Sequence, residues 1–557
     1  MTATSSVIQV SSAAELLEVL KHVQGGETIQ LAGGEYGGLR LAYTEILPDN
    51  VLSTVTITSA DPADPAVFSK IELKGVNNLA FDGITIDTVV AEGTGDPGVA
   101  FEINGCKNIS ITNSIFDGDI QRNYKAVSDG FPTGTAVAVN YSDGFVFRDN
   151  IVSTYRGGLT SLSSKNLDIS GNDITDIRSD GIQFAGVQNV VVEGNYIHDF
   201  NGSQDAGDHT DMIQLFSVAG VQNSGNILIK GNFLDSGTGN ATQSIFLGNE
   251  TAARGTVPEN YYFNIVVEDN VIRNAHLHGI TIGETNGVIV RNNSLFMNPD
   301  ATFNQAGMPR INVMPGATDV LVENNVLPEM GPIVTSADRI VQNNLIVQRF
   351  DPTADNFYDN LLVNGFADSS GKLSDLQALP GSLIETMGVG SSLLLFNSQP
   401  ETPTGIVKAS HGDQLSALDY QFDATTFFGP SGSIDPRNAS VVWNFGDGSS
   451  ATGAKVSHAF VNGGVYDVSA VVTLTDGRSF TVTKTVEAET PILFHTSYDQ
   501  TLRDLSPFEN KVAANEKVTF EDGHDGQAVR LNGTYLEYGA DSSFRMNTGF
   551  SVVVDFK

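Results

Sequence analysis

The densest group of ionisable side chains lies in the segment QDAGDHTDMIQ, which holds Asp205, Asp208, His209 and Asp211 within seven residues. Neighbouring carboxylates share a proton or bind a cation, and a histidine beside them titrates near neutral pH. The segment therefore predicts either acid–base chemistry or a Ca²⁺ site, because Ca²⁺ prefers oxygen ligands. The alternative is that the aspartates only cap turns and that His209 is solvated.

Other ionisable residues flank this segment. They are Tyr155, Arg156, Arg178, Asp180, His198, Glu250, Arg254, His276, His278 and Arg310. Abstraction of the C5 proton of a uronate needs a cation for the carboxylate, a base and an acid. Our candidates for these three roles, in that order, are Arg156, Arg178 or Arg310; His209 or His278; and Tyr155. Each of them taken alone is also compatible with a surface residue that has no catalytic duty.

These residues would be positioned by short strands with a common pattern. The segments SDGIQFA, HTDMIQLFS, TQSIFLGN, LHGITIGE and PRINVMP align so that an isoleucine occupies one column, which we predict to face inward: Ile182, Ile213, Ile245, Ile280 and Ile311. Polar groups occupy the neighbouring columns, which are Asp180, Asp211, Gln243 and His278, with Arg310 on the last strand, and Gln183, Gln214, Phe246, Thr281 and Asn312. We expect substrate contacts from Gln183, Gln214, Arg156, Lys125, His276 and Asn312, and Ca²⁺ contacts from Asp205, Asp208 and Glu250.

An internal repeat sets the spacing of these strands. Eight segments of the form apolar-x-apolar, then a turn, then a second short apolar strand align with one asparagine in common: Asn150, Asn172, Asn195, Asn232, Asn270, Asn293, Asn325 and Asn344. The shortest intervals are the length of one solenoid coil, and the longer ones equal a coil plus an insertion. Stacked coils would place each amide on the next, so the repeat predicts a parallel β-helix with an asparagine ladder.

Insertions indicate where a cleft forms, because function on a solenoid lies on the loops that wall its coils. The long intervals fall between residues 200 and 310, on the same coils as the ionisable cluster. Before the repeats, SSAAELLEVLKHV has the apolar spacing of an amphipathic helix, which we expect to cap the first coil. The opening of the chain, through GGETIQLAGGEYGGLRL and VTITSADPADPAVF, resembles chondroitinase B-like and alginate-lyase β-helices.

Two further domains follow the repeats. The segment VVWNFGDGSSATGAKVSHAFVNGGVYDVSAVV resembles the PKD family through Trp443, the WNFGDG run, His458 with Phe460, and Tyr466 with Val468. This resemblance implies an immunoglobulin-like sandwich with no catalytic role. The segment from residue 490 resembles the start of a laminin-G or concanavalin-like sandwich. The expected all-β organisation is a right-handed parallel β-helix over 1–400, a PKD domain over 404–488 and a partial third domain over 490–557.

Composition limits the partners. Asp and Glu outnumber Lys and Arg 65 to 30, which gives a formal charge of −35. Such a surface repels nucleic acid and anionic membranes, and an anionic polysaccharide would need a basic cleft or a bridging cation. No apolar run is long enough to span a bilayer, and Cys106, the single cysteine, excludes an intramolecular disulfide. We expect an extracellular bacterial protein, secreted through a C-terminal signal beyond this segment.

Three functions remain open. The fold, the Asp-His-x-Asp cluster and the PKD tail resemble alginate lyases and mannuronan C5-epimerases, which implies proton abstraction on an acidic polysaccharide such as alginate, with Ca²⁺ as cofactor. Ser179-Asp180-Gly181, Thr210-Asp211, Leu277-His278-Gly279 and Arg310-Ile311-Asn312 resemble the polygalacturonase motifs, which implies hydrolysis by Asp180 and Asp211. A non-catalytic polysaccharide-binding adhesin is the third. The first is our prediction.

Overall fold

The computed structural model divides the chain into two compact units, residues 1–397 and 398–557. In the first unit it describes residues 7–42, 53–203, 205–240, 242–253, 260–300, 307–333, 335–364 and 371–395. In the second unit it describes 404–413, 416–429, 432–434, 439–475 and 477–488, with four short strands beyond them. The predicted candidate Arg254 and the first six residues lie outside these ranges.

The first unit is a parallel β-helix whose coils each contribute strands to three stacked sheets, as the repeat predicts. The ladder sheet contains Val7–Val10, Thr28–Leu31, Val55–Ser59, Asn77–Asp82, Lys107–Thr112, Asp143–Arg148, Lys165–Ser170, Gln188–Glu193, Gly225–Lys230, Tyr262–Glu268, Thr285–Arg291, Thr318–Glu323 and Arg339–Gln342. The site sheet contains Gly34–Ala42, Ala66–Lys74, Val99–Asn104, Thr135–Asn140, Gly157–Leu162, Asp180–Ala185, Asp211–Leu215, Gln243–Leu247, His278–Ile282, Arg310–Val313 and Glu329–Met330.

The third sheet lies between the other two in each coil. It contains Thr85–Asp87, Ile115–Asp117, Ile151–Ser153, Asp173–Ile177, Tyr196–Phe200, Phe233–Asp235, Val271–Asn274, Ser294–Met297, Val326–Leu327 and Leu345–Ile346. Apolar side chains from all three sheets form one continuous core along the solenoid. Burial of this apolar surface supplies the main stabilisation of the unit.

The predicted asparagine ladder is confirmed. From Asn150 to Asn344, each side-chain Nδ2 donates to Oδ1 of the asparagine one coil further on, at 2.8–3.0 Å. The same Oδ1 atoms accept the backbone N–H of the asparagine one coil earlier. The ladder therefore satisfies a column of buried polar groups that would otherwise destabilise the fold.

A second asparagine column runs along the surface of the coils. Asn166, Asn189, Asn226 and Asn264 each donate through Nδ2 to the residue one coil earlier, which is Asp143 for the first of them. All four have positive φ angles, a conformation that asparagine adopts more readily than most other residues. This exposed column was not predicted from the sequence.

The amphipathic helix that was predicted at the start of the chain is confirmed as Ala13–Leu20. The side chain of Ser12 caps its first turn, and Leu16 and Leu20 are fully buried in the solenoid core. Cys106 is buried in the same core, as its apolar setting indicates. The helix therefore covers apolar side chains at the open end of the first coil.

The described residues of 335–364 and 371–395 follow the last long coils. They contain the helices Tyr358–Leu361 and Leu383–Met387 and the 3₁₀ turns Leu373–Leu376 and Ser392–Leu394. Tyr358, Leu361 and Ile384 pack on the outer face of the third sheet, against Phe233 and Phe296. This segment therefore buries an outward face that the first coils leave exposed.

Residues 404–488 of the second unit form two four-stranded antiparallel sheets, as the PKD resemblance implies. One holds Thr404–Asp413, Ser416–Gly429, Gly432–Ile434 and Lys455–Ala459, and the other holds Ala439–Asn444, Ser450–Thr452, Gly464–Leu474 and Ser479–Ala488. Trp443 is fully buried between them, and its Nε1 donates to the Gly453 carbonyl at 2.7 Å. His458 contacts Asp447 at 2.8 Å and stacks on Phe445.

The predicted laminin-G or concanavalin-like domain falls mostly on residues outside the described ranges. Four strands are described there: Val512–Ala513 pairs with Glu537–Tyr538, and Val518–Asp522 pairs with Gln527–Leu531, both antiparallel. These two hairpin-like pairs do not test the predicted domain. Within the described part of the chain, no helix is long and apolar enough to cross a bilayer.

Substitution Asn195→Ala tests the energetic weight of the ladder. The change removes the acceptor for Asn172 and a donor to the Ile169 carbonyl. We expect it to lower the free energy of unfolding by about 2–4 kcal/mol, because each unsatisfied buried polar group costs about 1–3 kcal/mol. The matched control is Asn189→Gly, which preserves the positive φ of the exposed column and should cost less than about 1 kcal/mol. Equal losses in urea denaturation would contradict this account.

Candidate active site

The strands Asp180–Ala185 and Asp211–Leu215 form the floor of the candidate site. They pair in parallel with Asp180 opposite Asp211 and Gln183 opposite Gln214. The isoleucine column that was predicted to face inward is confirmed, since all five of its members are fully buried. Gln183 and Gln214 each follow an inward isoleucine directly, so alternation puts them on the outer face. Asp180 and Asp211, at the starts of their strands, contact these glutamines through hydrogen bonds.

Glycine allows these strands to approach each other. A Cβ atom at Gly181 would lie 2.6 Å from the Met212 carbonyl oxygen, and one at Gly158 would lie 2.3 Å from the Gly181 carbonyl oxygen. A side chain at either position would push neighbouring coils apart. The glycine after Asp180 therefore keeps its carboxylate on the same close-packed sheet as Asp211.

The two carboxylates form a buried pair. Each has one oxygen, Oδ1, that is buried and has no hydrogen-bond partner among the described residues. Burial, together with the negative charge of Asp211, raises the pKa of Asp180 to about 7. Burial also raises the pKa of Asp211, against the opposing effect of its bond to His209. The pair as a whole therefore holds a proton to higher pH than isolated aspartates would.

His209 extends from the insertion over the pair. Its Nδ1 lies 2.7 Å from Oδ2 of Asp211, and its Nε2 lies 2.7 Å from Nε2 of Gln243. The bond to Asp211 raises the pKa of His209. The ring is 58% exposed while the Asp211 carboxylate has no exposed surface, so His209 faces the solvent side of the site.

Two glutamines connect the carboxylates. Nε2 of Gln183 donates to Oδ2 of Asp180 at 2.9 Å and to Oε1 of Gln214 at 2.6 Å. Nε2 of Gln214 donates to Oδ2 of Asp211 at 2.8 Å. These bonds fix the orientation of both carboxylates and leave the Oδ1 atoms as the remaining acceptors.

His276 and His278 belong to one coil, two coils beyond Asp211. Burial lowers the pKa of His276 to about 4 and also lowers the pKa of His278, so both are neutral at pH 7. Nδ1 of His278 lies 2.8 Å from the Thr281 hydroxyl, and its ring packs edge-on against Phe246. The ring of Phe246 also packs edge-on against His209, so Phe246 separates the two histidines.

Arg178 does not face the site as a carboxylate-binding group, which corrects our prediction. Its Nε donates to Asp208 at 2.7 Å, and both side chains are about 95% buried. The guanidinium also donates to the Ser128 hydroxyl and lies 5.6 Å from the Phe131 ring centroid. The Arg178–Asp208 pair therefore ties the insertion at 119–133 to the loop that holds His209.

The other predicted cations have different surroundings. Arg310 forms an ion pair with Glu329 at 2.8 Å. Lys125 is exposed on the 119–133 insertion, beside the Tyr124 ring. Arg156 is exposed, forms no ion pair with a described residue, and lies close enough to Asp180 to lower its pKa against the larger effect of burial.

Two further predicted residues do not contact the pair. Tyr155 is fully buried in the solenoid core, where its hydroxyl bonds the Thr88 hydroxyl at 2.8 Å. The hydroxyl also donates to the Asp117 carbonyl, away from the carboxylate pair, so the predicted acid role has no geometric support. Asn312 donates to the Thr281 hydroxyl at 3.2 Å and stays in the outward column of Gln183 and Gln214.

The residues that were predicted to bind Ca²⁺ are not brought together. Asp208 is used by Arg178, Glu250 lies 3.4 Å from the backbone N–H and the hydroxyl of Ser217, and Asp205 is exposed on its loop. In the described ranges, the group that could share a cation is Asp180, His209 and Asp211, whose ligand atoms lie within 4.8 Å of one another. A site with an imidazole and two carboxylates does not have the all-oxygen shell that Ca²⁺ prefers.

A groove of about 750 Å³ adjoins the pair and was missed by sequence reasoning. Gln183 and Gln214 line it together with the loop 216–224, Glu250 and Tyr262. The loop carries no ionisable side chain, so its sequence gives no sign of a functional site. Ser179 was also missed: its hydroxyl donates to the His209 carbonyl at 2.9 Å.

Family comparisons agree with the two folds. Residues 69–346 match the family model described as a right handed beta helix region, and residues 412–489 match the model described as a PKD domain. The large solenoid and the Trp443 sandwich are thus each recognised from the sequence. No curated protein sequence matches the chain.

Solved structures resemble separate parts of the chain. An alginate lyase from Paenibacillus sp. str. FPU-7 is 13% identical, over 51% of this chain and 95% of that one, at a TM-score of 0.27. A polygalacturonase from Erwinia carotovora ssp. carotovora is 13% identical, over 62% and 97%, at 0.33. The PKD1 domain of Vibrio anguillarum Epp is 23% identical, over 17% and 100%, at 0.14. These likenesses carry no argument about the reaction.

Substitution Asp180→Asn should stabilise the protein above neutral pH. The raised pKa means that the folded state holds a proton that the unfolded chain has lost, so the stability of the wild type falls as pH rises from about 4 to about 7. The variant lacks this titration, so its Tm should exceed that of the wild type at about pH 8 and approach it at about pH 4. The control Asp205→Asn, on an exposed carboxylate, should show no such pH-dependent gain. A wild type with a higher Tm at pH 8 would contradict the raised pKa.

Substitution Arg178→Ala tests whether this arginine is structural. Removing one partner of a buried ion pair costs about 3–5 kcal/mol, because the other charge is left unpaired. The control Arg148→Ala breaks the exposed pair with Asp168 and should cost about 0–1 kcal/mol. Urea denaturation at one pH measures both. If Arg178→Ala leaves stability unchanged and only weakens substrate binding, the side chain contacts substrate.

Proposed function

We propose that this chain cleaves a polysaccharide, with Asp180 and Asp211 as an acid–base pair. The observation that carries the proposal is the burial of two carboxylates on neighbouring strands, each with one oxygen that has no partner among the described residues. Two positioned carboxyl groups with different protonation states are the requirement of glycosidic-bond cleavage. The neighbouring groove supplies the space that a polymer needs next to such a pair.

Asp180 acts as the general acid. With a pKa of about 7 it is protonated over much of the range in which a neutral glycosidic oxygen needs a proton donor. Asp211, which Gln214 and His209 contact, is the partner that in its ionised form stabilises the positive charge that develops on the sugar or activates water. The two glutamines orient both groups before substrate arrives.

Hydrolysis fits this geometry better than elimination. Abstraction of a C5 proton requires a cation that neutralises the uronate carboxylate. Two of the three arginines that were expected to do so form ion pairs with Asp208 and Glu329. Most of the cations that the proton-abstraction hypothesis requires are therefore already paired with carboxylates.

Proton abstraction from a uronate, by a lyase or a C5-epimerase, is the second candidate. Arg156 favours it, because this exposed arginine is unpaired among the described residues and lies near Asp180. In that mechanism, Arg156 binds the uronate carboxylate and neutral His278 accepts the C5 proton. Arg156→Ala separates the candidates, since only the second requires its charge.

The assay uses a panel of neutral and uronate polysaccharides and reads reducing ends together with the ultraviolet absorbance of unsaturated uronates. We expect new reducing ends without that absorbance. Asp180→Asn and Asp211→Asn should each lower the rate on the order of 10²–10⁴-fold, and kcat/KM should fall above about pH 7 as Asp180 loses its proton.

The control for the assay is Asp205→Asn, an exposed carboxylate on the same loop as His209. Absorbance that rises together with reducing ends would replace hydrolysis by elimination. Epimerisation without cleavage is detected by proton NMR of the polymer. Full activity in both Asp180→Asn and Asp211→Asn would remove the carboxylate pair from the mechanism.

Ca²⁺ and an extracellular location stay predictions from composition. The charge of −35 favours a hard cation at an anionic substrate, and a polymer substrate is met outside the cell. Activity with and without EDTA tests the first. Detection of the native protein in culture medium tests the second.

A further inference from the structure

The groove beside the carboxylates is continuous with the proposed reaction centre. Gln183 and Gln214 line the groove, and the same amides donate to Asp180 and Asp211. A ligand that bonds these amides therefore lies directly beside the pair. Because the volume of about 750 Å³ is within the range of ligand sites, the groove has room for more than a single small group.

The lining of the groove is polar but nearly uncharged. Its described side chains are mainly amides and hydroxyls, among them Gln222, Asn223 and Ser217, with the half-buried ring of Phe216. Glu250 is the one charged side chain in this described lining. Amides and hydroxyls bond sugar hydroxyl groups as donors and as acceptors, and an aromatic ring packs on the apolar face of a sugar.

The described lining of the groove carries one charged side chain, the carboxylate of Glu250. The Asp211 carboxylate beside the lining amides is paired with His209. Two like charges about 4 Å apart repel by about 1 kcal/mol even at the dielectric constant of water, and more when partly buried. A uronate carboxylate in this groove would meet that repulsion without a compensating cation from the described lining.

We propose that this groove binds an uncharged segment of a glycan, built of neutral hexose or pentose units. The hydroxyl groups of the segment bond the amides of Gln183 and Gln214, and one sugar face packs on Phe216. The identity of the segment as substrate rests on the proposed function, whereas its binding does not require cleavage. The uncharged character replaces the acidic polysaccharide that the sequence predicted.

The test is isothermal titration of the Asp180→Asn variant, so that cleavage does not disturb the binding signal. The ligands are neutral gluco-, manno-, galacto-, xylo- and fructo-oligosaccharides, and oligogalacturonate and oligoalginate of equal length. We expect at least one neutral ligand to bind about tenfold more tightly than either oligouronate. Adding Phe216→Ala should weaken that neutral ligand about tenfold, and adding Glu250→Gln should narrow the discrimination about fivefold.

The matched control is Asn189→Gly, far from the groove on the exposed asparagine column, which should leave every affinity unchanged. Tighter binding of an oligouronate, or no binding of any neutral ligand, overturns the inference. So does neutral binding that is insensitive to Phe216→Ala, because the ligand then lies elsewhere.

Failures of the two proposals are distinguishable. Neutral binding in the groove without cleavage by the wild type removes the proposed function and leaves the groove assignment standing. Cleavage of uronate polymers that depends on Asp180 and Asp211 removes the groove assignment and leaves the carboxylate pair standing.

Discussion

In-register stacking of parallel strands is the constraint on which the rest of this structure depends. Because each residue lies beside its equivalent one coil on, like side chains accumulate in columns: asparagine on asparagine, isoleucine on isoleucine. For amides and apolar groups this arrangement is favourable. At one place the same geometry puts Asp180 beside Asp211, and like charges on neighbouring strands destabilise a sheet.

The fold meets that cost by retaining a proton. Burial and the neighbouring charge together make ionisation of Asp180 unfavourable until about neutral pH, and a glutamine donates to each carboxylate. The raised pKa of Asp180 therefore has two consequences. The folded protein loses stability when this carboxyl group ionises, and the group stays protonated to higher pH than an ordinary aspartate, as the proposed general acid requires. The asparagine ladder stabilises the same coils, and this stabilisation offsets the unfavourable free energy of the carboxylate pair.

Features that recur in every coil could be predicted from the sequence, because the repeat sets their positions. The ladder and the inward isoleucines follow from coil spacing and strand patterning, and both appear in the structure. The alignment of Asp180 with Asp211 in one column follows from the same repeat. The PKD domain was recognisable because Trp443 and its neighbours pack in a fixed way.

The contacts of the insertions could not be predicted in this way, because tertiary contacts and not the repeat set the positions of these segments. The contact of Arg178 with Asp208 could not be predicted, because Arg178 is 30 residues along the chain from Asp208 and 50 from Ser128, and these two partners lie on different insertions. The inward direction of Tyr155 depends on a turn at a coil corner. The exposed asparagines in SKNLDIS and VQNVVVE are present in the sequence. Only their positive φ angles in the structure show why asparagine occupies this column.

The place of the site along the solenoid has a consequence for partial unfolding. The strands of Asp180 and Asp211 lie sixth and seventh among the eleven of their sheet, so several coils separate them from either end. A solenoid frays from its termini, because each coil is held only by its neighbours. Opening or proteolysis of the terminal coils can therefore leave the register of the central coils, and with it the carboxylate pair, unchanged.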